Sequence, residues 1–189
     1  MLNVLHWANL VEGTSQTIPA KLNALERYAA GAHRALEIGT YPGVSAARIA
    51  GALAPNGFRY CVDPWPKIDG RENNTCWSIF QRHLRRSGVQ SRVRVLCGYS
   101  REMAGQMPDQ LHFVFVDGDH SLEGIKTVSE KILPGGAVCL HDSLTPAGEE
   151  LRHADSCVYF EDVTQKTIHP FRSSKWFVPL PCYGNVNER

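Results

Sequence analysis

The chain has 189 residues, of which 43% are apolar and 21% are charged, and its net charge is +1 at pH 7. This length supports one sizeable hydrophobic core rather than two, and the near-neutral charge excludes the strongly basic class of nucleic-acid-binding proteins. The first residues lack the basic leader and the long apolar run of a secretory signal or a membrane span. We therefore expect no nucleic-acid partner and no membrane partner.

Short strand-like runs alternate with helical runs along most of the chain. After a predicted helical cap over residues 1–30, the elements in chain order are a strand at 34–39, a helix at 45–53, a strand at 58–63, a helix at 75–88, and strands at 92–98, 111–117 and 136–142. Continuous apolar strands between helices are typical of a parallel sheet that is covered on both faces. The sequence therefore predicts an α/β, Rossmann-like, doubly wound fold.

The end of the chain has a different pattern. Residues 157–163 and 175–181 are strand-like, with no long helical pattern between them. They are predicted to pair as an antiparallel hairpin at the sheet edge, which gives a mostly parallel sheet of seven strands. We interpret residues 1–189 as a single domain, with the cap at 1–30, a cofactor-binding core at 31–145 and the hairpin region at 146–189.

The six cysteines do not form a CxxC pair. Cys61, Cys97 and Cys139 stand inside apolar runs, where cysteine behaves as a small buried hydrophobe. This usage is more typical of a reduced protein than of a disulfide scaffold, and it predicts a cytoplasmic location.

Unusual residues collect at the carboxyl ends of the predicted strands, which is where open parallel sheets bind ligands. The first strand leads into EIGTYPGVS, in which Gly39 and Gly43 flank a turn into a helix. This turn has neither the GxGxxG pattern of dinucleotide sites nor the GK[ST] ending of a phosphate loop. Glu37 would repel a pyrophosphate, and its carboxylate suits a ligand with an ammonium group.

The second strand ends at Asp63, where a carboxylate accepts hydrogen bonds from ribose hydroxyls. A structural role, in which Asp63 caps the next loop, is an equal alternative. Trp65 offers a flat apolar surface nearby. A ligand with a ribose, a positive amino-acid end and no phosphate fits these features, so the sequence predicts S-adenosylmethionine rather than NAD.

The segments ALEIGTYPGVS, FRYCVDPWP, VRVLCGYS, FVFVDGDHSLEGIK and LPGGAVCLHDS occur in this order. Over roughly residues 20–145, they resemble class I S-adenosylmethionine-dependent methyltransferases. The likeness is greatest to small bacterial O-methyltransferases related to sugar and natural-product enzymes, with the caffeoyl-CoA and catechol enzymes more distant. The chain departs from the family at Tyr99, where an acid is common.

This resemblance implies a set of cofactor-binding residues. Around the methionine part it places Glu37, Gly39, Gly43 and Ser45. It assigns Asp63 to the ribose and Ser100 to the neighbourhood of the adenine, and the predicted set is completed by Tyr41, Trp65 and Asp117.

The motifs VFVDGDH and LHDS mark the tips of the fourth and fifth strands, so Asp117, His141 and Asp142 are predicted to converge. In metal-dependent relatives, an acid and a polar pair at these positions bind magnesium. Histidine is a poorer ligand for magnesium than for manganese, iron or zinc. We therefore predict a divalent cation, magnesium or manganese, with its identity open.

His120 has the spacing of the general base in related sugar enzymes, and imidazole titrates near neutral pH. With Asp117, it is the predicted catalytic pair. Asp119 either orients His120 or caps the helix that follows. The predicted reaction moves a methyl group to a hydroxyl of a small sugar, polyketide or phenolic acceptor.

Three alternatives stay open. A metal-independent methyltransferase would use His120 as its sole base, with His141 and Asp142 as a structural pair. A protein that binds S-adenosylmethionine or a nucleoside without turnover is a different class. A dinucleotide enzyme is disfavoured by the missing GxGxxG and by Glu37. The sequence does not identify the acceptor or the oligomeric state, a homo-oligomer included.

Overall fold

A computed structural model describes residues 19–65, 75–119, 124, 127–128, 130–141 and 158–159. Its strands form one sheet with the order β3-β2-β1-β4-β5-β6, and every neighbouring pair is parallel. The strands are β1 (Arg34–Ile38), β2 (Phe58–Asp63), β3 (Val93–Cys97), β4 (Leu111–Val116), β5 (Ile132–Leu140) and β6 (Val158–Tyr159). The predicted α/β, Rossmann-like fold is confirmed.

One described helix precedes β1, and the others lie between successive strands. They are α1 (Pro19–Ala29), α2 (Val44–Ala52), α3 (Thr75–Arg86) and the single turn α4 (Ser100–Met103), with short 3-10 turns at Gln90–Arg92 and Ala104–Gln106. The predicted helices at 45–53 and 75–88 are thus found within two residues of their predicted bounds.

The core lies on both faces of the sheet because side chains alternate along each strand. Leu36, Val114 and Val138 belong to one buried cluster. Their chain neighbours Ala35, Phe113, Ala137 and Cys139 pack into a second cluster, together with the apolar side chains of α1 and α2. This two-sided burial explains why the central strands read as continuous apolar runs.

The sheet order reverses between β1 and β4. Chain order runs outward from β1 to β2 and β3 on one side, and continues with β4 and β5 on the other. Loops that leave adjacent strand tips at such a reversal diverge to opposite faces and leave a crevice between them. The predicted site residues lie at this end of the sheet.

The tail agrees with the sequence only in its first part. β6 falls inside the predicted run 157–163 and pairs in parallel with β5, through Cys139 with Val158 and Leu140 with Tyr159. The predicted hairpin partner, 175–181, lies outside the described residues. The seven-strand count and the division into cap, core and hairpin region therefore remain predictions.

One cysteine prediction is wrong. Cys61 and Cys139 are fully buried, and burial raises the pKa of the Cys61 thiol to about 12. Cys97, by contrast, is exposed. It ends β3, which is an edge strand of the described sheet and has only β2 as a neighbour.

None of the described helices is long and apolar enough to cross a membrane.

Candidate functional site

A cavity of about 570 Å³ opens at the carboxyl ends of β1 to β4. Binding sites for small molecules and cofactors are usually of this size. Residues after all four strands line it: Gly39, Thr40, Tyr41, Pro42 and Ser45 after β1, Asp63 and Pro64 at β2, Gly98, Tyr99, Ser100 and Arg101 after β3, and Asp117, Gly118 and Asp119 after β4. The structure therefore brings most of the predicted cofactor residues together.

Gly39 is where two strand tips come closest. Its φ is +82°, a left-handed conformation that L side chains rarely adopt. A Cβ atom on Gly39 would lie 2.5 Å from the carbonyl oxygen of Asp117 and 2.6 Å from the Cα of Gly118. The predicted role of Gly39 was close approach to a ligand. The structure shows that it also allows the backbone after β1 to pack against the backbone after β4.

Gly43, which was predicted to lie beside the methionine part of the cofactor, packs against a neighbouring helix. It also has a left-handed φ, of +83°, at the start of α2, but it does not line the cavity. A Cβ atom there would overlap the ring of Phe80 on α3. Gly43 therefore allows a helix-to-helix contact, while its neighbours Pro42 and Val44 face the cavity.

Asp63 lines the cavity and also holds the loops around it. Its Oδ2 accepts a hydrogen bond from the backbone N–H of Tyr41 at 2.9 Å, and its Oδ1 accepts one from Trp65 at 3.0 Å. Desolvation by burial raises the pKa of Asp63, and the two donated hydrogen bonds partly oppose that shift. The loop-capping alternative is therefore correct, and the position of Asp63 on the cavity wall leaves the ribose prediction standing.

Replacing Asp63 with asparagine should weaken the binding of S-adenosylhomocysteine (SAH) by about tenfold or more, because a charge-assisted hydrogen bond contributes about 1.5 kcal/mol or more. The wild-type affinity should also fall at acid pH, since a protonated carboxyl no longer accepts two hydrogen bonds. Because the pKa of Asp63 is raised, the midpoint of that fall should lie above the ordinary value of 3.8. Calorimetry across pH measures both effects. A wild-type midpoint that persists in Asp63→Asn would show that another group is responsible, and Asp109→Asn, at an exposed carboxylate, is the control.

Glu37 does not line the cavity. Its side chain is fully buried and forms an ion pair with the equally buried guanidinium of Arg59. The hydroxyl of Ser45 donates a hydrogen bond to Glu37 at 2.5 Å, and Arg59 donates to the carbonyl oxygens of Ser45 and Ala46 at 2.9 Å each. A protein cation thus takes the place that sequence reasoning gave to the ligand ammonium, and the pair joins β1 and β2 to the start of α2.

Trp65 is likewise absent from the cavity wall. It is fully buried, with its ring centroid 4.7 Å from that of Phe80 and 5.1 Å from that of Trp77. Its indole N–H donates to the carbonyl oxygen of Tyr41 at 2.8 Å. Trp65 therefore supports the loop from beneath, and Tyr41, which is 50% exposed, forms the wall itself.

The wall after β3 is built by Tyr99 and Ser100. Ser100 is buried, and its hydroxyl donates to Oδ2 of Asp119 at 2.8 Å. Tyr99 is 47% exposed and lines the cavity where an acid is common in the resembling enzymes. Asp119 thus links the β3 loop to the β4 loop, a contact that neither sequence interpretation of Asp119 included.

Two predicted residues of the metal site do converge. The ring Nδ1 of His141 lies 3.0 Å from Oδ1 of Asp117, although the angle is not that of a well-aligned hydrogen bond. On the opposite side of the ring, the ammonium of Lys21 lies 3.3 Å from Nε2. The third predicted ligand, Asp142, and the predicted base, His120, lie outside the described residues.

Whether Asp117 and His141 could hold a divalent cation depends on the lone pairs that their side chains offer. A neutral imidazole has one ring-nitrogen lone pair to offer a metal, and at His141 the ammonium of Lys21 lies beside Nε2. A second cation at that nitrogen would be repelled by the first. In the described part of the chain, moreover, no three His, Cys, Asp or Glu residues form a group that could hold a metal ion. The Nε2 side of His141, as placed, therefore does not fit a divalent cation, and the full set with Asp142, which lies outside the described residues, remains a prediction.

Sequence reasoning missed Lys21, Arg59 and Gly118. Arg59 alternates with Cys61 and Asp63 along β2, so a charged residue on an inward face was a readable signal. Lys21 interrupts the apolar face of α1 in the same way. Gly118 lies inside the quoted VFVDGDH motif, and a Cβ atom there would lie 2.8 Å from the Cα of Gly39.

Several solved structures are similar to the chain. A cofactor-bound protein from MTB is 18% identical, with a TM-score of 0.63, and the match covers 79% of this chain and 73% of that one. An O-methyltransferase from Bacillus cereus in complex with SAH is 22% identical, with a TM-score of 0.58 and coverage of 72% and 61%. An O-methyltransferase from Streptomyces achromogenes, involved in tomaymycin synthesis and in complex with SAM, is 19% identical, with a TM-score of 0.59 and coverage of 79% of each chain. At these identities the likeness establishes the fold.

No curated protein matches the chain significantly. The family assignment comes from residues 36–143, which match the model of a family described as a methyltransferase domain. This segment is more than half of the chain, and it contains the cavity-lining tips of β1 to β4. The chain belongs to the methyltransferase-domain family and is a class I S-adenosylmethionine-dependent methyltransferase.

Proposed function

We propose that the protein transfers the methyl group of S-adenosylmethionine to a hydroxyl oxygen of a small metabolite such as a sugar, a polyketide or a phenolic compound. The observation that carries this proposal is the cavity at the carboxyl ends of β1 to β4, where the sheet order reverses. This cavity combines the Gly39 turn, the Asp63 carboxylate and the Asp117 carboxylate. Support for oxygen as the acceptor atom comes from the O-methyltransferases among the similar structures and from the DGDH motif.

The roles within the site follow from the order of the strands. The nucleoside would be held by Asp63, at the end of β2, and by Ser100, at the start of α4. The Gly39 turn would hold the methionine part. Asp117, after β4, lies on the other side of β1 from Asp63 and would face the reacting end. S-adenosylmethionine supplies an electrophilic methyl group, and His120 would take the proton that leaves the acceptor hydroxyl.

The divalent cation expected from the sequence is not part of this proposal, because the ammonium of Lys21 lies beside Nε2 of His141 and would repel a second cation there. The proposal thus adopts the metal-independent alternative. A reducing compartment such as the cytoplasm is consistent with the four described cysteines, none of which is in a disulfide.

The test has a binding step and a turnover step. Calorimetry should show SAH binding in the micromolar range, as expected for a preformed concave site. Incubation with S-adenosylmethionine and a panel of hydroxylated sugars and phenols should then give products in which oxygen carries the new methyl group, before and after chelation. Failure of the intact protein to bind SAH would refute the proposal, and tight binding without any methylated acceptor would favour the binding-protein alternative.

His120→Ala should lower kcat by about a hundredfold, the usual contribution of a general base. Raising the pH should partly restore turnover, because the acceptor hydroxyl then ionises without a base. A pH–rate profile of the variant on the true acceptor measures this effect, with His33→Ala as the control, since His33 is paired with Asn56 at the surface. A wild-type rate and profile in His120→Ala would remove His120 from the mechanism.

A further inference from the structure

Lys21 is a buried lysine on an apolar helix face. It is 5% exposed, and it shares one face of α1 with Leu25 and Ala29, which are both fully buried. Lysine is almost never buried in this way without a partner. Its presence at a position where the pattern calls for an apolar residue therefore points to a specific contact rather than to packing.

The contact joins three structural elements. The Lys21 ammonium lies 3.3 Å from Nε2 of His141, and Nδ1 of the same ring lies 3.0 Å from Oδ1 of Asp117. These residues come from α1 and from the ends of β5 and β4. An ammonium group only donates hydrogen bonds, and a carboxylate only accepts them. The Lys21 contact therefore assigns one tautomer to a neutral His141, with the lone pair on Nε2. The ring proton is then on Nδ1, which lies close to Oδ1 of Asp117 without well-aligned hydrogen-bond geometry.

The charges of Lys21, a neutral His141 and Asp117 sum to zero. The positive Lys21 and the negative Asp117 are separated by the imidazole, so the buried lysine has an opposite charge close to it. Only Asp117 lines the cavity, and Lys21 and His141 lie behind it. Under the proposed function, these three residues thus run from the protein interior to the end of the cavity opposite the nucleoside.

We propose that Lys21 is a positioning residue. Its ammonium occupies, beside Nε2 of His141, the place that a divalent cation would need. Lys21 and His141 together hold the Asp117 carboxylate in one orientation toward the acceptor hydroxyl. The orientation toward the acceptor hydroxyl and the kinetic test rest on the proposed methyl transfer. The tautomer of His141 and its response to metal are properties of the protein without an acceptor.

The first experiment uses the wild-type protein. Nitrogen NMR of histidine-labelled protein, with the His141 signals assigned by comparison with His141→Gln, should show the Nδ1–H tautomer. Addition of millimolar Mn²⁺ should leave those signals unbroadened. An Nε2–H tautomer, or selective broadening of His141 by Mn²⁺, would overturn the inference. Neither result depends on a known acceptor, and both are read from the wild-type protein once its His141 signals have been assigned.

The second experiment compares variants at two lysines. Lys21→Met keeps the length and apolar body of the side chain but removes its charge and its donor. It should populate the other tautomer of His141 and lower kcat by about tenfold, the effect of about 1.4 kcal/mol, with little change in the KM for S-adenosylmethionine. Lys21→Arg, which restores a cationic donor, should recover part of that loss. The control is Lys131→Met, since Lys131 pairs with the exposed Asp109.

The outcomes separate this inference from the proposed function. A purely structural role would lower the stability of Lys21→Met and leave the kcat of its folded fraction unchanged, which would contradict the inference. If Lys21→Met does not fold, the wild-type tautomer and the Mn²⁺ result decide. If the wild-type protein fails to bind SAH, the proposed function fails, while the NMR results still test the contacts of Lys21.

Discussion

Replacing Gly39 with alanine should both destabilise the protein and abolish cofactor binding. A left-handed conformation costs a residue with a Cβ atom about 1 to 2 kcal/mol. At Gly39 the added atom would also overlap the backbone of Asp117 and Gly118, which should cost about 1 to 3 kcal/mol more, as overpacking does elsewhere. Relieving this overlap requires the tips of β1 and β4 to separate, and those tips form the floor of the cavity.

A matched control separates the cost of the left-handed conformation from the cost of the overlap. Gly31 has a similar φ, of +74°, and a Cβ atom there would have no atom within 4 Å. Gly31→Ala should therefore show the conformational cost alone and bind SAH normally. Urea unfolding and calorimetry of both variants provide the comparison. Equal losses of stability in the two variants would mean that the contact between Gly39 and Gly118 is not as close as described.

Glu37→Gln and Arg59→Met should each lower the free energy of unfolding by about 3 to 5 kcal/mol, because removing one partner of a buried ion pair leaves the other charge uncompensated. Both side chains are fully buried. The double variant Glu37→Met/Arg59→Met should be more stable than the sum of the two single losses implies, since it leaves no buried charge behind. Denaturant unfolding of the four proteins completes the cycle.

The same variants test the position of Glu37 relative to the ligand. If Arg59 is the true partner of Glu37, the folded fraction of Glu37→Gln should bind SAH with nearly the wild-type affinity. A large loss of affinity at unchanged stability would instead restore the sequence interpretation, in which the carboxylate meets the ammonium group of the cofactor. Arg48→Met is a control, because Arg48 pairs with Glu26 in a partly exposed ion pair.

The sequence by itself determined the fold class and the edge of the sheet that carries the site. The apolar runs alternate with helices over residues 34–116, and a strand buried on both faces has no other stable arrangement than the interior of a covered sheet. Gly39, Asp63, Ser100 and Asp117 were located for the same reason: each follows a predicted strand, and parallel strands bring their carboxyl ends to one edge. These conclusions depend on residues close together in the chain.

The tertiary structure alone decided which of these side chains face the cavity. Glu37 and Arg59 lie 22 positions apart in the chain, and Lys21 and His141 lie 120 apart. Whether a buried acid meets a ligand or a protein cation depends on which strand becomes its neighbour and in which register. The register of β1 with β2 pairs Glu37 with Cys61, which brings the inward-facing Arg59 within reach of its carboxylate. The packing of α1 against the end of the sheet likewise places an ammonium at His141, where local sequence had predicted a metal ion.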